Sequence, residues 1–488
     1  MQIALGLDSL LLAGSVLGLA ALFVSAFVTR RFSIPGALLF LGLGMAVGVD
    51  GLNLVSLSDA TFVRDAGVIA LLFILLEGGL TTKPTDLNRA ALPGLLLATV
   101  GVMVTASITA VGVWLLLDVD VLTAALIGAV VGSTDAAAVF SMMRHMALPR
   151  RTAALLRVES GSNDPLAAVI TIGLVTTVTG SVGVSDWVTF ALIQMLGGTA
   201  IGAAVGVFAA LALRRLTLGV EGFYPLAVVG FAGLAYALAA QVGASGFVAV
   251  YIVGLIVGAY VPRRRRVILD FHEATANAAE IGLFLLLGLL VLPSRLPAVA
   301  FSAILVALIL TLIGRPAAVW LCTLKQGYEW RERTIISLGG LKGAVPIVLA
   351  TFPLTAGVAD AQLIFDIVFF VTLVSLLLQG ATLMPVVRLL GLVSTEPAWS
   401  PVAEAVPLYG IEIDLIELHV TGDMPIVGQS LASLGIPEGS LITAIVRNNQ
   451  VIIPGGETVP QIHDVLLITT KRTDDALDRC TAWARQEP

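Results

Sequence analysis

The 488-residue chain is 58% hydrophobic and only 12% charged, with a mean hydropathy of +1.00 and a net charge of −6. A soluble globular protein carries roughly twice that charged fraction, so a soluble domain architecture is excluded for most of the chain. Its recurring apolar runs of about 20 residues mark a polytopic membrane protein.

The N-terminal stretch "MQIALGLDSLLLAGSVLGLAALFVSAFVTRR", which holds the first run, has no basic leader and no small-residue cleavage motif followed by a soluble chain. It reads as a retained first span, not a removed signal. Apolar runs and charged breaks give thirteen expected spans, near 9–29, 35–51, 64–80, 92–117, 121–143, 152–180, 187–212, 222–241, 245–261, 270–292, 297–324, 332–353 and 361–390. With that segmentation, 17 loop lysines and arginines fall on one side, from Arg30 and Arg31 through Arg263 to Arg266 and on to Arg388. Only Arg64 and Arg295 fall on the other. The basic side is the cytoplasmic one, which places the N-terminus outside and the C-terminus inside. The two cysteines, Cys322 and Cys480, suggest neither a disulfide framework nor a metal cluster.

Ionisable residues inside spans cost several kcal/mol unless paired or wetted, so each is a functional candidate. Glu77, at the inner end of span three, reads as an interfacial charge. Span five carries "GSTDAAAVF", with Thr134 and Asp135 beside Gly132 and Ser133. Such a stretch can unwind and turn carbonyls and a carboxylate toward a cation, or it can be a capped kink. Span six carries "ESGSNDP". Asn163 and Asp164 fall near mid-membrane, and Pro165 perturbs the helix there. Glu159 and Asn163, four apart, share a face, while Asp164 points about 100° away. A carboxylate in a wet cavity holds a proton or a cation but not comfortably both, which is what exchange requires; Glu159 reads instead as one member of a buried pair. Span ten places Glu280 in the membrane, span eleven Arg315 and span twelve Lys342, within "GGLKGAVP". The two buried cations need acidic partners, and Glu159 and Glu280 are available. Asp366 falls near the outer end of span thirteen and is expected to be wetted.

Spans five and twelve are both glycine-interrupted and lie an odd number of spans apart, so they cross in opposite senses. Paired interruptions in two inverted halves point to a midplane site. The expected fold is therefore an all-α polytopic protein of about thirteen helices in two inverted repeats with discontinuous crossed helices.

After Leu392 the composition changes. Thirteen acidic and five basic residues follow from Glu396 onward, and the proline-bearing segment 393–408 reads as a linker. Over 409–475, the runs "IEIDLIELHV", "LITAIVRN", "VIIP" and "DVLLITT" read as strands, with a hairpin turn at Asn-Asn-Gln and a short helix at "SLASLG". The result is a small α+β cytoplasmic domain, expected to dimerise because it is small, with 476–488 as a C-terminal tail. No nucleophile–base pair, metal-ligand spacing or phosphate loop is seen, so no catalytic residue, enzyme activity, cofactor or nucleic-acid partner is expected.

At "STDAAAV", "ESGSNDP", "EIGLFLLLG" and "GGLKGAVP" the sequence resembles the cation–proton antiporter superfamily in its electroneutral branch, over residues 5–392, with 1–392 expected as the transmembrane domain. The resemblance implies that Asp164 alternates between H⁺ and a monovalent cation, K⁺ or Na⁺, with Asp135, Thr134 and Asn163 completing the site. It further implies that Glu159 pairs with Arg315 and holds Asn163, and that Glu280 pairs with the basic residue of the second crossed helix. That residue is usually arginine in the family and is Lys342 here, which keeps the charge but loses the bidentate fork. Asparagine at 163 leaves one titratable carboxylate in the motif, which by analogy implies one cation per proton. The tail resembles the C-terminal subdomain of regulator-of-potassium-conductance modules, which dimerise and in some cases bind small ligands such as cyclic di-AMP. That association favours K⁺. The expectation is a lipid-embedded homodimer of the bacterial inner membrane in which spans three to six and ten to thirteen move against a dimerising scaffold. The alternatives are a Na⁺/H⁺ antiporter of the same mechanism, a cation channel gated by the tail, and a membrane sensor.

Overall fold

A computed structural model describes residues 18–19, 22–23, 36–55, 57, 59–82, 84–134, 148–180, 183–215, 219–261, 265–392, 403–407, 413–422, 424–447, 450–471 and 476–486. It falls into two compact units, Met1–Val393 and Ser394–Pro488.

The first unit is helical. Its helices are α1 (Ala37–Val47), α2 (Ala60–Thr81), α3 (Pro84–Leu96), α4 (Val102–Leu116), α5 (Val121–Val130) and α6 (Arg150–Val178), then α7 (Trp187–Leu192), α8 (Gly198–Arg215), α9 (Phe223–Gln241), α10 (Gly246–Tyr260) and α11 (Arg265–Leu290). They continue with α12 (Leu296–Ile309), α13 (Arg315–Thr323), α14 (Trp330–Leu338), α15 (Ala344–Thr355), α16 (Ala361–Val374) and α17 (Gly380–Leu389). Five-residue π turns join α3 to α4, α7 to α8, α12 to α13 and α16 to α17. Among the described residues, six helical rods are long and apolar enough to cross a membrane, and four shorter apolar helices accompany them. The helices α2 and α6 are equally long but interrupted by charged and polar residues. The expected first span, 9–29, falls almost wholly outside the described residues. Helix starts follow from local chemistry: Asp59 accepts from the N–H groups of Thr61 and Phe62 at 2.9 and 3.1 Å, and Asp120 caps α5 in the same way.

Packing sorts these helices into two bundles, and glycines decide the sorting. Helices α1, α2 and α8–α11 form one bundle. A Cβ at Gly79 of α2 would lie 2.9 Å from Gly254 Cα of α10, and one at Gly258 of α10 would lie 2.5 Å from Leu80 O. Gly44 of α1 meets Gly288 of α11 equally closely, and Gly202 of α8 lies against Ala249 of α10. Such backbone-to-backbone approach is how helices associate where lipid gives no hydrophobic drive. Helices α3–α6 and α12–α17 form the second bundle. This corrects one expectation. Spans three and ten, here α2 and α11, were expected with the moving bundle, but their glycines lock them into the other one.

The second unit is an antiparallel sheet, β1 (Ala403–Pro407), β2 (Ile413–His419), β3 (Ser440–Arg447), β4 (Gln450–Ile452) and β5 (Val465–Lys471), in the order β1-β2-β5-β3-β4. Ile416 lies opposite Ile468 and Leu418 opposite Leu466; all four are buried, with Ile442 and Ile445 beside them. A final helix, α18 (Ala476–Arg485), joins that core through Ala476, Cys480 and Ala484, and Trp483 Nε1 donates to Leu434 O at 2.8 Å. Arg447 donates from Nε and Nη2 to Asp464, at 2.9 and 2.7 Å. Two boundaries differ from expectation. The segment 393–408, expected as linker, supplies β1 and pairs it to β2, and 476–488, expected as tail, supplies α18. The signal in α18 was a small-residue stripe at spacing four, masked by six charged residues around it. "SLASLG" forms a single 3₁₀ turn, Leu431–Ser433.

Candidate functional site

The site lies in the second bundle, where two helices break. The chain leaves α5 at Val131 and runs through Gly132, Ser133 and Thr134 without helical structure; Asp135, the next expected site residue, lies outside the described residues. Opposite it, α14 stops at Gly339, and Gly340 to Gly343 are non-helical before α15 begins. A helix end inside the membrane leaves carbonyls without intrahelical partners. Lys342, 2% exposed, answers that need by donating from Nζ to Gly132 O at 3.3 Å and Ser133 O at 2.5 Å. One ammonium therefore ties the two breaks together.

This alters the expected pairing. The hydrogen bonds of Lys342 go to backbone carbonyls of the first break, not to Glu280. That residue is half-buried on α11 in the other bundle. The physical reason is that an ammonium has three rotatable donors and is satisfied by carbonyls at the negative end of a helix as well as by a carboxylate.

Helix α6 runs alongside both breaks. Thr134, Glu159, Asn163 and Asp164 are buried, with Asp164 at 4% exposure. Pro165 lacks an N–H, which releases the carbonyl of Gly161 from the helical ladder one turn earlier. Asn163 donates from Nδ2 to Thr134 Oγ1, which brings the first break and α6 together; its Oδ1 has no hydrogen-bond partner among the described residues. Glu159 accepts a two-pronged bond from Arg315: Nη1 donates to Oε1, and Nη2 donates to Oε2 at 2.8 Å. Nη2 also donates to Ile336 O, at 3.3 Å, in the last turn of α14. Both carboxylate oxygens of Glu159 are thus engaged by Arg315, and the amide of Asn163 is held by Thr134 and not by Glu159.

Polar groups that the sequence reading passed over support this arrangement. Ser375 Oγ accepts from the backbone N–H of Lys342 at 3.0 Å and donates to Gln379 Oε1; Gln379 Nε2 donates to Thr311 Oγ1 at 3.3 Å. Ser375 and Gln379 bound the π turn between α16 and α17, and Thr311 lies in the π turn that delivers Arg315. Such turns often mark functional positions. The available signal was a polar pair at spacing four, "SLLLQ", within an otherwise apolar run. Asp366, expected to be wet, is instead buried, and Gln362 donates to its Oδ1 at 2.9 Å.

Gly340 has a specific task here. A Cβ on it would lie 2.5 Å from Arg315 Nε and 3.0 Å from Cζ, and the fork on Glu159 leaves the guanidinium nowhere to go. Gly340→Ala is expected to destabilise the protein by about 1–3 kcal/mol, as overpacking does. Thermal unfolding in detergent checks this; an unchanged midpoint would mean that the guanidinium moves freely.

At the end of the bundles away from Arg150 and Arg151, a cavity of about 400 Å³ opens between them, lined by Arg64, Asp65 and Tyr236 on one side and Ile172 and Phe352 on the other. Arg64 Nη1 donates to Thr355 Oγ1 there at 3.2 Å. Among the described residues, no group of three or more His, Cys, Asp or Glu is placed to hold a metal ion.

Comparison with known proteins gives consistent matches. Residues 18–389 match the family model for the sodium/hydrogen exchanger transmembrane domain, and residues 415–479 match that for the TrkA-C domain. The chain is 37% identical to a K(+)/H(+) antiporter NhaP2 of Shewanella sp. (strain ANA-3), over 95% of this chain and 81% of the relative. It is 35% identical to the K(+)/H(+) antiporter NhaP of Alkalimonas amylolytica, over 92% and 79%. Identity to the low-affinity Na(+)/H(+) antiporter NhaS1 of Synechocystis sp. is 29%, over 87% and 82%. The solved sodium proton antiporter MjNhaP1 of Methanocaldococcus jannaschii shares the fold, with a TM-score of 0.68 at 24% identity, over 78% of this chain and 99% of that one.

Proposed function

The chain belongs to the sodium/hydrogen exchanger family, and from that premise we propose that it exchanges K⁺ for H⁺ at one carboxylate, Asp164. It is a transporter and not an enzyme, with cations and protons as its substrates. The observation that carries the reading is the buried Asp164 on a proline-bearing helix whose neighbouring Asn163 donates to Thr134 of the first break, beside two broken helices whose carbonyls and hydroxyls can replace water around a bare cation. Thr134, Asn163 and Asp135 complete the cation site, while Glu159–Arg315 and Lys342 hold its frame. K⁺ is favoured over Na⁺ because the relatives at 35–37% identity are named K⁺/H⁺ antiporters.

Charge supports one-for-one exchange. At the crossing the buried charges of the described residues are Arg315, Lys342, Glu159 and Asp164. With Asp164 ionised and a monovalent cation bound, their sum equals that with Asp164 protonated. The two loaded forms carry the same net charge, so neither is favoured by the membrane potential. In this reading thirteen helices cross in two inverted halves, the arginine-rich face is cytoplasmic, and the N-terminus is outside. Helices α3–α6 and α12–α17 carry Asp164 against α1, α2 and α8–α11, which pair with a second copy of the chain. The TrkA-C domain regulates this movement from the cytoplasm, with cyclic di-AMP or another small ligand as its effector.

The test is pH-dye fluorescence in everted vesicles with an imposed acid interior, adding K⁺, Na⁺ or Li⁺ separately. K⁺ is expected to dissipate the gradient at lower concentration than Na⁺, without response to membrane potential. Sodium acting at lower concentration than K⁺ overturns the ion assignment. No proton movement with any cation, even with the C-terminal domain removed, overturns the antiport and favours a channel or sensor.

A further inference from the structure

Side chains on α10 and α6 meet across the boundary between the two bundles, one residue before the Asn163–Asp164 pair. Tyr251 sits on α10 and is 6% exposed. Its own backbone is fixed in the first bundle: a Cβ at Gly79 of α2 would lie 2.5 Å from the carbonyl oxygen of Tyr251. From that anchored position the ring reaches α6, where Gly161 makes room for it. A Cβ at Gly161 would lie 3.2 Å from Tyr251 Oη and 3.4 Å from Cε2. The hydroxyls of Tyr251 and Ser162 share a hydrogen bond of 3.1 Å.

The turn that Tyr251 holds is the one least held by its own helix, because Pro165 leaves the Gly161 carbonyl without its ladder partner. Moving that turn moves Asn163 and Asp164 with it. We propose that Tyr251 is a positioning residue for exchange: its hydroxyl clamps the turn bearing Ser162 to the first bundle, and release of this contact accompanies re-exposure of Asp164. The inference rests on the antiport reading above. Tyr251 acts through Ser162 and is not a cation ligand.

The placement gives the effect a sign. Ser162 lies nearer than Asp164 to the Arg150 end of α6, and Tyr251 packs level with Gly79, near the last turn of α2. The clamp therefore closes the bundles together on the cytoplasmic side of the carboxylate. Losing it favours the form open to the cytoplasm, and a binding-competent form that is more populated binds with a lower apparent dissociation constant.

The experiment measures half-saturating K⁺ in everted vesicles, whose outer face is the cytoplasmic one, for the full chain and for Tyr251→Phe, Ser162→Ala, the double variant and Ser162→Thr. Each single variant is expected to lower half-saturation by about 3- to 10-fold, the size of one neutral hydrogen bond. The double variant is expected to match the singles, because both remove the same bond, and Ser162→Thr, which keeps the hydroxyl, to stay within about twofold of native. Half-saturation unchanged or raised in Tyr251→Phe and Ser162→Ala overturns the proposal, as does a double variant in which the two effects multiply. Loss of K⁺-driven proton movement in the native protein itself overturns the antiport reading; intact native exchange with unresponsive variants overturns only the role of Tyr251.

Discussion

Asp164→Asn is expected to reduce cation-driven proton movement to the level of vesicles that lack the protein, with expression and thermal stability unchanged. The amide matches the carboxylate in shape but neither titrates nor balances a cation's charge. Asn163 and Glu159 do not substitute: the first is not titratable, and both oxygens of the second accept from Arg315. A buried carboxylate replaced by a neutral group also loses a desolvation cost, so stability should not fall. The native protein should show the complementary behaviour. One proton competing with one cation at one carboxylate raises half-saturating K⁺ about tenfold for each pH unit below the point where Asp164 protonates. The sign follows directly: acid fills the site with protons and weakens cation binding, and alkali releases it. Transport assays across a pH series on the cytoplasmic face measure both effects. Residual exchange in Asp164→Asn would move the site elsewhere.

The second large effect concerns the frame. Glu159 and Arg315 are both nearly inaccessible, with side-chain exposures of 1% and 4%. Removing either partner leaves a bare charge in a medium that cannot hydrate it, and such losses cost about 3–5 kcal/mol. Glu159→Gln and Arg315→Gln should therefore each lower the unfolding midpoint in detergent by many degrees. Replacing both at once, with Glu159→Leu and Arg315→Met, should recover most of that stability, because a well-packed apolar pair removes both desolvation costs. Exchange by the double variant should still fail, since Arg315 Nη2 also holds Ile336 O at the entrance to the second break. Thermal unfolding of the three variants separates the two roles. Additive losses in the double variant would show that the pair is not a unit.

Much of this was legible in the residues. Charge in an apolar run demands a partner, and that rule flagged Glu159, Arg315, Lys342 and Asp164, while the resemblance to the antiporters matched Glu159 to Arg315. The glycine-interrupted stretches at 132–134 and 339–343 pointed to the helix breaks, because glycine beside polar residues weakens a helix and lets it unwind. What the residues did not reveal is which group satisfies which. Lys342 reads as a charge seeking a carboxylate, yet its hydrogen bonds go to the carbonyls of Gly132 and Ser133, exposed only because α5 ends there. A partner created by folding leaves no mark in composition. Bundle membership was hidden for a related reason. Gly79 and Gly254 each look like ordinary membrane glycines, and only their meeting places α2 with α10. In the C-terminal unit, β1 and α18 escaped notice because proline and acidic residues around them mimic linker and tail, although their small apolar residues are spaced to pack.

The central claim, electroneutral exchange at Asp164, is tested most directly by a null-point measurement on purified protein in proteoliposomes. Opposing K⁺ and H⁺ gradients are imposed at several membrane potentials, and the combination giving no net proton flux is found. One-for-one exchange predicts a null wherever the two concentration ratios are equal, at every potential, with flux absent in Asp164→Asn. A null that shifts with potential, or K⁺ flux that carries no protons, would contradict it.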